Sequence, residues 1–353
     1  MNLGWIKPLG RFLLFAGIGV GVFAWVFHAQ SKAYQAQCAL DGIAPADCRL
    51  IDKLLHDFTL ASPGWMLAVA AAFTFSVVLR AWRMQMLMRP LGYDISFGNS
   101  FFSILLGYFA NLGLPRMGEV VRAGALARNE GAPPAQVMGA LVVDRLMDFV
   151  CLGLVVALTL LFEADTIRDF VTQGRQAQRG GGLGWAPVLA AIALCGAAGL
   201  WMIRKRLMRH PLVLKGWGLV QGFQEGLRSV FRMANPGRFF LYSIGIWLMF
   251  YLQCWFNLLA FPPTAHLGMG AAMMVFVLGT LGMVVPSPGG MGSFHALAVA
   301  ALALYGISGG DAFSYANIAF FTIQIGYNLL GGAAALMALP RLKKRSATNQ
   351  ATT

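Results

Sequence analysis

Two short groups of charged residues stand inside strongly apolar sequence. The first is Arg116, Glu119 and Arg122, three charges within seven residues, beside Pro115 and Gly118. The second is Asp144, Arg145 and Asp148. Guanidinium groups hold phosphate and carboxylate oxygens through planar, paired hydrogen bonds. Carboxylates set among them balance that charge and can read a cationic group. On a helix, Asp144 and Asp148 share a face, and Arg145 lies about 100° round from Asp144. In hydrocarbon an unpaired charge costs ~2.5–3.5 kcal/mol on insertion scales. These groups are therefore expected to pair, with Arg116 and Arg122 as the candidate partners of the two aspartates. Three readings stay open: a cytoplasmic loop between two short helices around 116–122, ion pairs that seat a hairpin, and a charged lining for a ligand.

Other polar groups are fewer. His295 comes three residues after Gly292. With Ser293 and the backbone donors of 289–292 it could contact an anion at a helix N-terminus, or it could be satisfied locally. Asn111, Asn257, Gln324 and Asn328 lie in apolar runs and read as interhelical hydrogen bonders; Asn111 is also a candidate for the charged site. Cys38 and Cys48 share a polar stretch, where a disulfide forms if the compartment is oxidising. Cys151, Cys195 and Cys254 fall in apolar runs and read as small core residues. The chain has no cysteine–histidine cluster with zinc spacing, and no G-x-S-x-G, H-E-x-x-H or Walker A motif. No nucleophile–base set is visible, so neither catalysis, a metal, a cofactor nor ATP drive is expected.

The elements that must position these groups are membrane helices. Of 353 residues, 58% are hydrophobic and 12% charged, against about 25% charged in soluble domains. The formal net charge of +13 comes in short basic runs between apolar segments, the pattern of cytoplasmic loops and not of a nucleic-acid surface. Apolar spans are read at 12–27, 64–79, 137–162, 185–203, 239–261 and 312–339. The first is read as an anchor and not a signal peptide; its Gly17 and Gly21 form a small-xxx-small packing face. The span at 64–79 is expected to end at Arg80, Arg83 and Arg89. Placing basic ends inside puts 1–11, 80–95, 204–238 and 341–353, and so both termini, in the cytoplasm. The polar loop 28–62 and the stretch 163–184 then face outward.

That tally closes only if two further apolar regions, 96–128 and 268–306, turn back without crossing. They resemble each other. One reads Leu106-Gly107, then Pro115-Arg116-Met117-Gly118; the other reads Leu278-Gly279, then Pro286-Ser287-Pro288-Gly289-Gly290-Met291-Gly292. Opposed interrupted segments are the pattern of inverted-repeat transporters, whose sites lie where broken helices meet near the midplane. Pro115, Gly118, Pro286, Pro288, Gly289, Gly290 and Gly292 would act there as hinges or expose backbone donors. The stretch 212–233 is amphipathic and suits either an interfacial helix or a linker helix packed on the bundle. The expected fold is thus all-α and polytopic, with about six spanning helices and two oppositely oriented re-entrant hairpins. It forms one membrane domain over 1–340, with a basic segment at 204–238 and a basic tail at 341–353.

Three stretches carry a family resemblance: Leu114-Pro115-Arg116-Met117-Gly118-Glu119-Val120-Val121-Arg122, Val143-Asp144-Arg145-Leu146-Met147-Asp148, and Pro286-Ser287-Pro288-Gly289-Gly290-Met291-Gly292. Together they resemble the flippase-like family, the transmembrane region of lysylphosphatidylglycerol synthase (the multiple peptide resistance factor), as a stand-alone member without the synthase domain. The likeness covers roughly residues 10–340. Pro115, Arg116, Gly118, Glu119 and Arg122 match the first element. Arg145 and Asp148 match the second, with Asp144 where the family usually has Glu. Pro286, Pro288, Gly289, Gly290 and Gly292 match the third. His295 stands where many members have Glu, which removes a negative charge near the site.

The resemblance implies a multi-pass protein of the bacterial cytoplasmic membrane that moves a lipid between leaflets. Its ligands would be membrane lipids with an anionic or phosphate-bearing headgroup, a modified phospholipid or an isoprenoid-linked lipid. Arg116, Arg122 and Arg145 would hold the phosphate; Glu119, Asp144 and Asp148 would balance them or read a cationic part. Alternatives are a non-transporting scaffold or regulatory subunit of envelope-lipid synthesis, and a secondary transporter of a small anion. A homo-oligomer or an envelope-lipid synthesis partner fits either membrane role.

Overall fold

The computed structural model describes residues 20–39 apart from 22, 33 and 37, then 48–113, 117–166, 168, 233, 235–284 and 290–342. No strand occurs among the described residues. Helix α1 occupies the described positions of 20–39. It is followed by α2 (Leu50–Leu60), α3 (Pro63–Met88), α4 (Phe97–Gly113), α5 (Gly118–Glu130) and α6 (Pro134–Phe162). Then come α7 (Pro236–Ala260), α8 (Met269–Val284) and α9 (Ser293–Ala303). The last is α10 (Gly309–Ala338). Among the described residues, four helices are long and apolar enough to cross a membrane: Pro63–Leu91, Pro134–Phe162, Pro236–Ala260 and Gly309–Ala338. The protein is an all-α membrane protein. The expected span at 185–203, most of that at 12–27, nearly all of the amphipathic stretch 212–233 and the tail beyond 342 lie outside the described residues.

The chain divides into two compact units, Met1–Thr159 with Gly237–Thr353, and Leu160–Pro236. The second is described only at its ends, where Thr166 Oγ1 donates to Glu163 at 2.8 Å. The first holds the groups that could do chemistry.

Proline and glycine place the helix ends. Pro63 opens α3 just after Ser62, where its missing N–H costs nothing. Gly131, at φ 66°, closes α5 in the left-handed region, which a residue with a Cβ enters only with strain. One sequence expectation needs correction here. The span from 64 does not stop at 79: α3 runs on to Met88, and Arg80 and Arg83 are only 2% and 0% exposed. They are core residues, not free cations marking a membrane edge. Their partners lie on α6, more than sixty residues downstream, so local composition could not reveal the burial.

Helices α4 and α5, on either side of residues 114–116, form a hairpin. With 17 and 13 residues both fall short of the about 20 that a crossing needs. The tip is tied by the Gly118 N–H donating to Asn111 Oδ1 at 2.8 Å. The base is tied by Glu130 Oε1, which accepts from Ser96 N at 2.9 Å and Asn99 Nδ2 at 2.6 Å. Helices α8 and α9, with 16 and 11 residues, form a second hairpin. There Ser293 Oγ donates to Gly282 O at 2.6 Å and to Gly290 O at 3.2 Å. The first hairpin packs on α3 and the end of α10 through Val77, Ala81, Ile104, Leu105 and Ala335.

Close approach at the first tip depends on glycine. A Cβ on Gly118 would press on the Gly107 carbonyl and lie 2.6 Å from the Asn111 amide. Gly118→Ala is therefore expected to cost about 1–3 kcal/mol by overpacking, read as a lower thermal midpoint of the purified protein. Gly124→Ala, six residues on and with nothing within 4 Å of the new Cβ, is the control and should be neutral or stabilising. Equal midpoints for the two variants would refute the tip contact.

Helix α2 is clamped onto α10. Lys53 Nζ bonds Asp57 Oδ2 and Asp311 Oδ1, each at 2.7 Å, and Ser314 Oγ donates to Asp57 at 2.5 Å. Burial works against the Lys53 ammonium, but Asp311 and Asp57 more than offset it, and its pKa lies above the ordinary value. The expected disulfide is present, Cys38 to Cys48. Reducing it should cost about 2–3 kcal/mol by freeing the unfolded chain. The check is a melting curve with and without dithiothreitol, beside a Cys38→Ser/Cys48→Ser double variant that should no longer respond.

Candidate functional site

Arg80 and Arg83 sit three apart on α3 and so face the same side. Asp144 and Asp148, four apart on α6, meet them. Arg80 Nη1 reaches Asp144 Oδ2 at 3.2 Å and Asp148 Oδ2 at 3.0 Å. Arg83 binds both acids, through Nε to Asp144 Oδ1 at 2.7 Å and Nη2 to Asp148 Oδ1 at 2.7 Å. Its third nitrogen donates to Ser243 Oγ on α7 at 3.1 Å. The first hairpin adds Arg122, whose Nη1 lies 3.3 Å from Asp144 Oδ2, and Glu119, which pairs with Arg145. Arg145 Nη1 also reaches Asp148 Oδ2 at 3.2 Å.

Among the described residues, four guanidiniums thus face three carboxylates, leaving one positive charge in excess in this cluster. Buried ions need such sharing, because an unpaired one keeps its full desolvation cost. The sharing is incomplete. Arg80 Nε and Arg122 Nε and Nη2 are buried donors with no hydrogen-bond partner among the described residues.

Beside the cluster lies a cavity of about 360 Å³. Arg80, Arg145 and Asp148 form its charged wall. Trp247, Phe250 and Phe276 form much of an apolar one, with the Arg80 guanidinium 5.8 Å from the Phe250 ring centre. Both hairpins reach it, the first through Tyr108 and the second through Gly279, Thr280 and Met283. Helix α10 enters it with a π-helical segment, Phe320–Tyr327, whose Phe320, Ile323 and Gln324 line the wall. Such wide turns recur at functional sites.

The structure brings together Glu119, Arg122, Asp144, Arg145 and Asp148. Of these, Arg145 and Asp148 line the cavity and the other three stand behind them. Arg116, with Pro115, Pro286, Pro288 and Gly289, lies outside the described residues. Asn111 is spent on the hairpin tip, and Ser293 on its own hairpin. His295 is fully buried among Phe23, Phe294, Phe313 and Phe320, and its Nδ1 accepts from Gly292 N at 3.4 Å. It is satisfied locally on that side and does not line the cavity.

Sequence reasoning missed two features. Arg80 and Arg83 are the largest; the apolar run Ala81, Trp82, Met84 and Met86–Met88 around them was the available signal that α3 continues. The second is the role of the amides. Asn257 and Asn328 were expected to bond between helices. Each instead donates to the carbonyl four residues back in its own helix, Gln253 O at 2.8 Å and Gln324 O at 3.1 Å. A short amide side chain reaches that carbonyl more easily than a neighbouring helix.

A helical membrane domain whose broken hairpins converge on a charged and aromatic cavity defines the class: a polytopic membrane protein with a built internal site. A family model described as the Lysylphosphatidylglycerol synthase TM region matches residues 43–331, and the chain belongs to that family. No curated protein and no solved structure matches the chain.

Proposed function

We propose that the protein is a lipid translocase that passes a phosphate-bearing lipid between leaflets through this cavity. The carrying observation is the wall chemistry. A cluster with one excess positive charge and unpartnered guanidinium N–H groups stands against an aromatic and aliphatic surface. That combination suits an amphiphile with an anionic head. Family membership supports a role in lipid handling. The two hairpins act as opposed re-entrant elements, a reading supported by arms too short to cross. The cell membrane is the bacterial cytoplasmic one, and the Cys38–Cys48 disulfide supports these two cysteines facing its oxidising side. Binding and movement need no catalytic chemistry.

The test is reconstitution. Purified protein in liposomes holding a trace of fluorescent phosphatidylglycerol should let a membrane-impermeant reductant bleach nearly all of the label. Protein-free liposomes should stop near half. Bleaching that stays near half at several proteins per vesicle would refute translocation. If the lipid still binds in that case, the scaffold reading takes its place.

A further inference from the structure

Four carboxamide side chains line the cavity: Gln253 and Asn257 from α7, Gln324 and Asn328 from α10. Two present unused acceptors. Asn257 Oδ1 and Asn328 Oδ1 are buried and have no hydrogen-bond partner among the described residues; the residues are only 0% and 6% exposed. Their orientation is fixed, because each Nδ2 donates to the carbonyl four residues back. Turning the amide over would set oxygen against oxygen. A buried acceptor without a partner costs free energy, so these oxygens point to a ligand that brings its own donors.

The charged wall says which donors. An ammonium group would need a free carboxylate. Asp148 is the only acid on the cavity wall among the described residues, and it is held by Arg80, Arg83 and Arg145. Behind it, Asp144 is held by Arg80, Arg83 and Arg122, and Glu119 pairs with Arg145 and Arg122. The excess charge there is positive. Neutral amide acceptors opposite a cationic wall match neutral hydroxyl donors carried on a phosphate diester.

We infer that Asn257 and Asn328, with Gln253 and Gln324, form a hydroxyl-reading subsite, and that the ligand is a phosphate with a neutral polyol or sugar headgroup and not an aminoacylated, cationic one. This rests on the translocase reading for the lipid anchor, but not for the headgroup chemistry. In this arrangement the guanidiniums take the phosphate and the carboxamides take the hydroxyls. The aromatic wall covers the apolar stem.

The experiment is native mass spectrometry of the purified protein in detergent with four lipids of matched acyl chains. These are phosphatidylglycerol, phosphatidylinositol, phosphatidylethanol (the same diester without hydroxyls) and phosphatidylethanolamine. Glycerol 3-phosphate is the soluble probe. Phosphatidylglycerol and phosphatidylinositol should bind about 5–10-fold tighter than phosphatidylethanol, the margin of one or two net hydrogen bonds. Asn257→Leu and Asn328→Leu should each shrink that margin, read as the ratio of phosphatidylglycerol to phosphatidylethanol binding within each variant. Wild-type protein that binds phosphatidylethanol equally well, or phosphatidylethanolamine best, overturns the subsite whatever the variants do. Strong but undiscriminating lipid binding overturns this inference alone. Binding of glycerol 3-phosphate that needs Asn257, with no lipid bound, overturns the lipid reading alone and keeps the subsite.

Discussion

Asp144→Ala is expected to lower the stability of the membrane domain by about 3–5 kcal/mol, the usual penalty for removing one partner from a buried ion cluster. Asp144 is 0% exposed and carries contacts from Arg80, Arg83 and Arg122. Without it, four guanidiniums would surround two carboxylates, and the buried Arg80, Arg83 and Arg122 would lose their shared acceptor. The loss should appear as a large drop in thermal midpoint and as aggregate on size exclusion in mild detergent. Arg83→Ala should also destabilise, but the Asp144→Ala/Arg83→Ala double variant should lose less than the sum, since it removes a cation and an anion together. Additive losses, or an Asp144→Ala midpoint close to wild type, would refute a shared buried network.

Arg145→Ala should do the opposite, sparing the fold and removing transport. Its side chain is 38% exposed, its acids keep other guanidiniums nearby, and it stands on the cavity wall. The stability cost should stay within about 1 kcal/mol, as for partly exposed pairs. Lipid movement should fall tenfold or more, because a charge-assisted hydrogen bond is worth about 1.5–3 kcal/mol and every 1.4 kcal/mol is tenfold. Arg145→Lys should recover only part of the rate, since lysine keeps the charge but not the planar fork. The measurement is the initial bleaching rate in liposomes at equal protein density. Undiminished transport by a well-folded Arg145→Ala protein would sink the assignment of this wall to the headgroup.

Much of this site was legible before any coordinates. Asp144, Arg145 and Asp148 could be read as paired and inward-facing because charge in a hydrophobic run has few other outcomes. Glu119 and Arg122 followed from the Pro–Gly break. The hairpins were legible because the charge tally closes only if 96–128 and 268–306 turn back, and because 115–118 and 286–292 interrupt both apolar regions. What was not legible depends on distant partners. Arg80 and Arg83 look like any basic end of a span until α6 is laid against them. A charge rule counts residues and cannot see which of them are consumed inside. Asn257 and Asn328 were misjudged for a related reason: their donors found a carbonyl within their own helices, whereas Asn111 and Gln324 do bond across helices.

The π segment of α10 sets the rotational phase between the two ends of that helix. Before it, Asp311 and Ser314 must face α2 to meet Lys53 and Asp57. After it, Gly331 and Gly332 must face α4, where Leu105 and Phe109 leave no room for a Cβ. A π turn holds about one residue more than an α turn, and one residue is about 100° of rotation. A strictly α-helical path through Phe320–Tyr327 would therefore satisfy one docking face and turn the other away. Asn328, just beyond the segment, would swing out of the cavity with it. The wide turn is in effect a gear tooth, letting one rigid rod mesh with two neighbours that demand different settings.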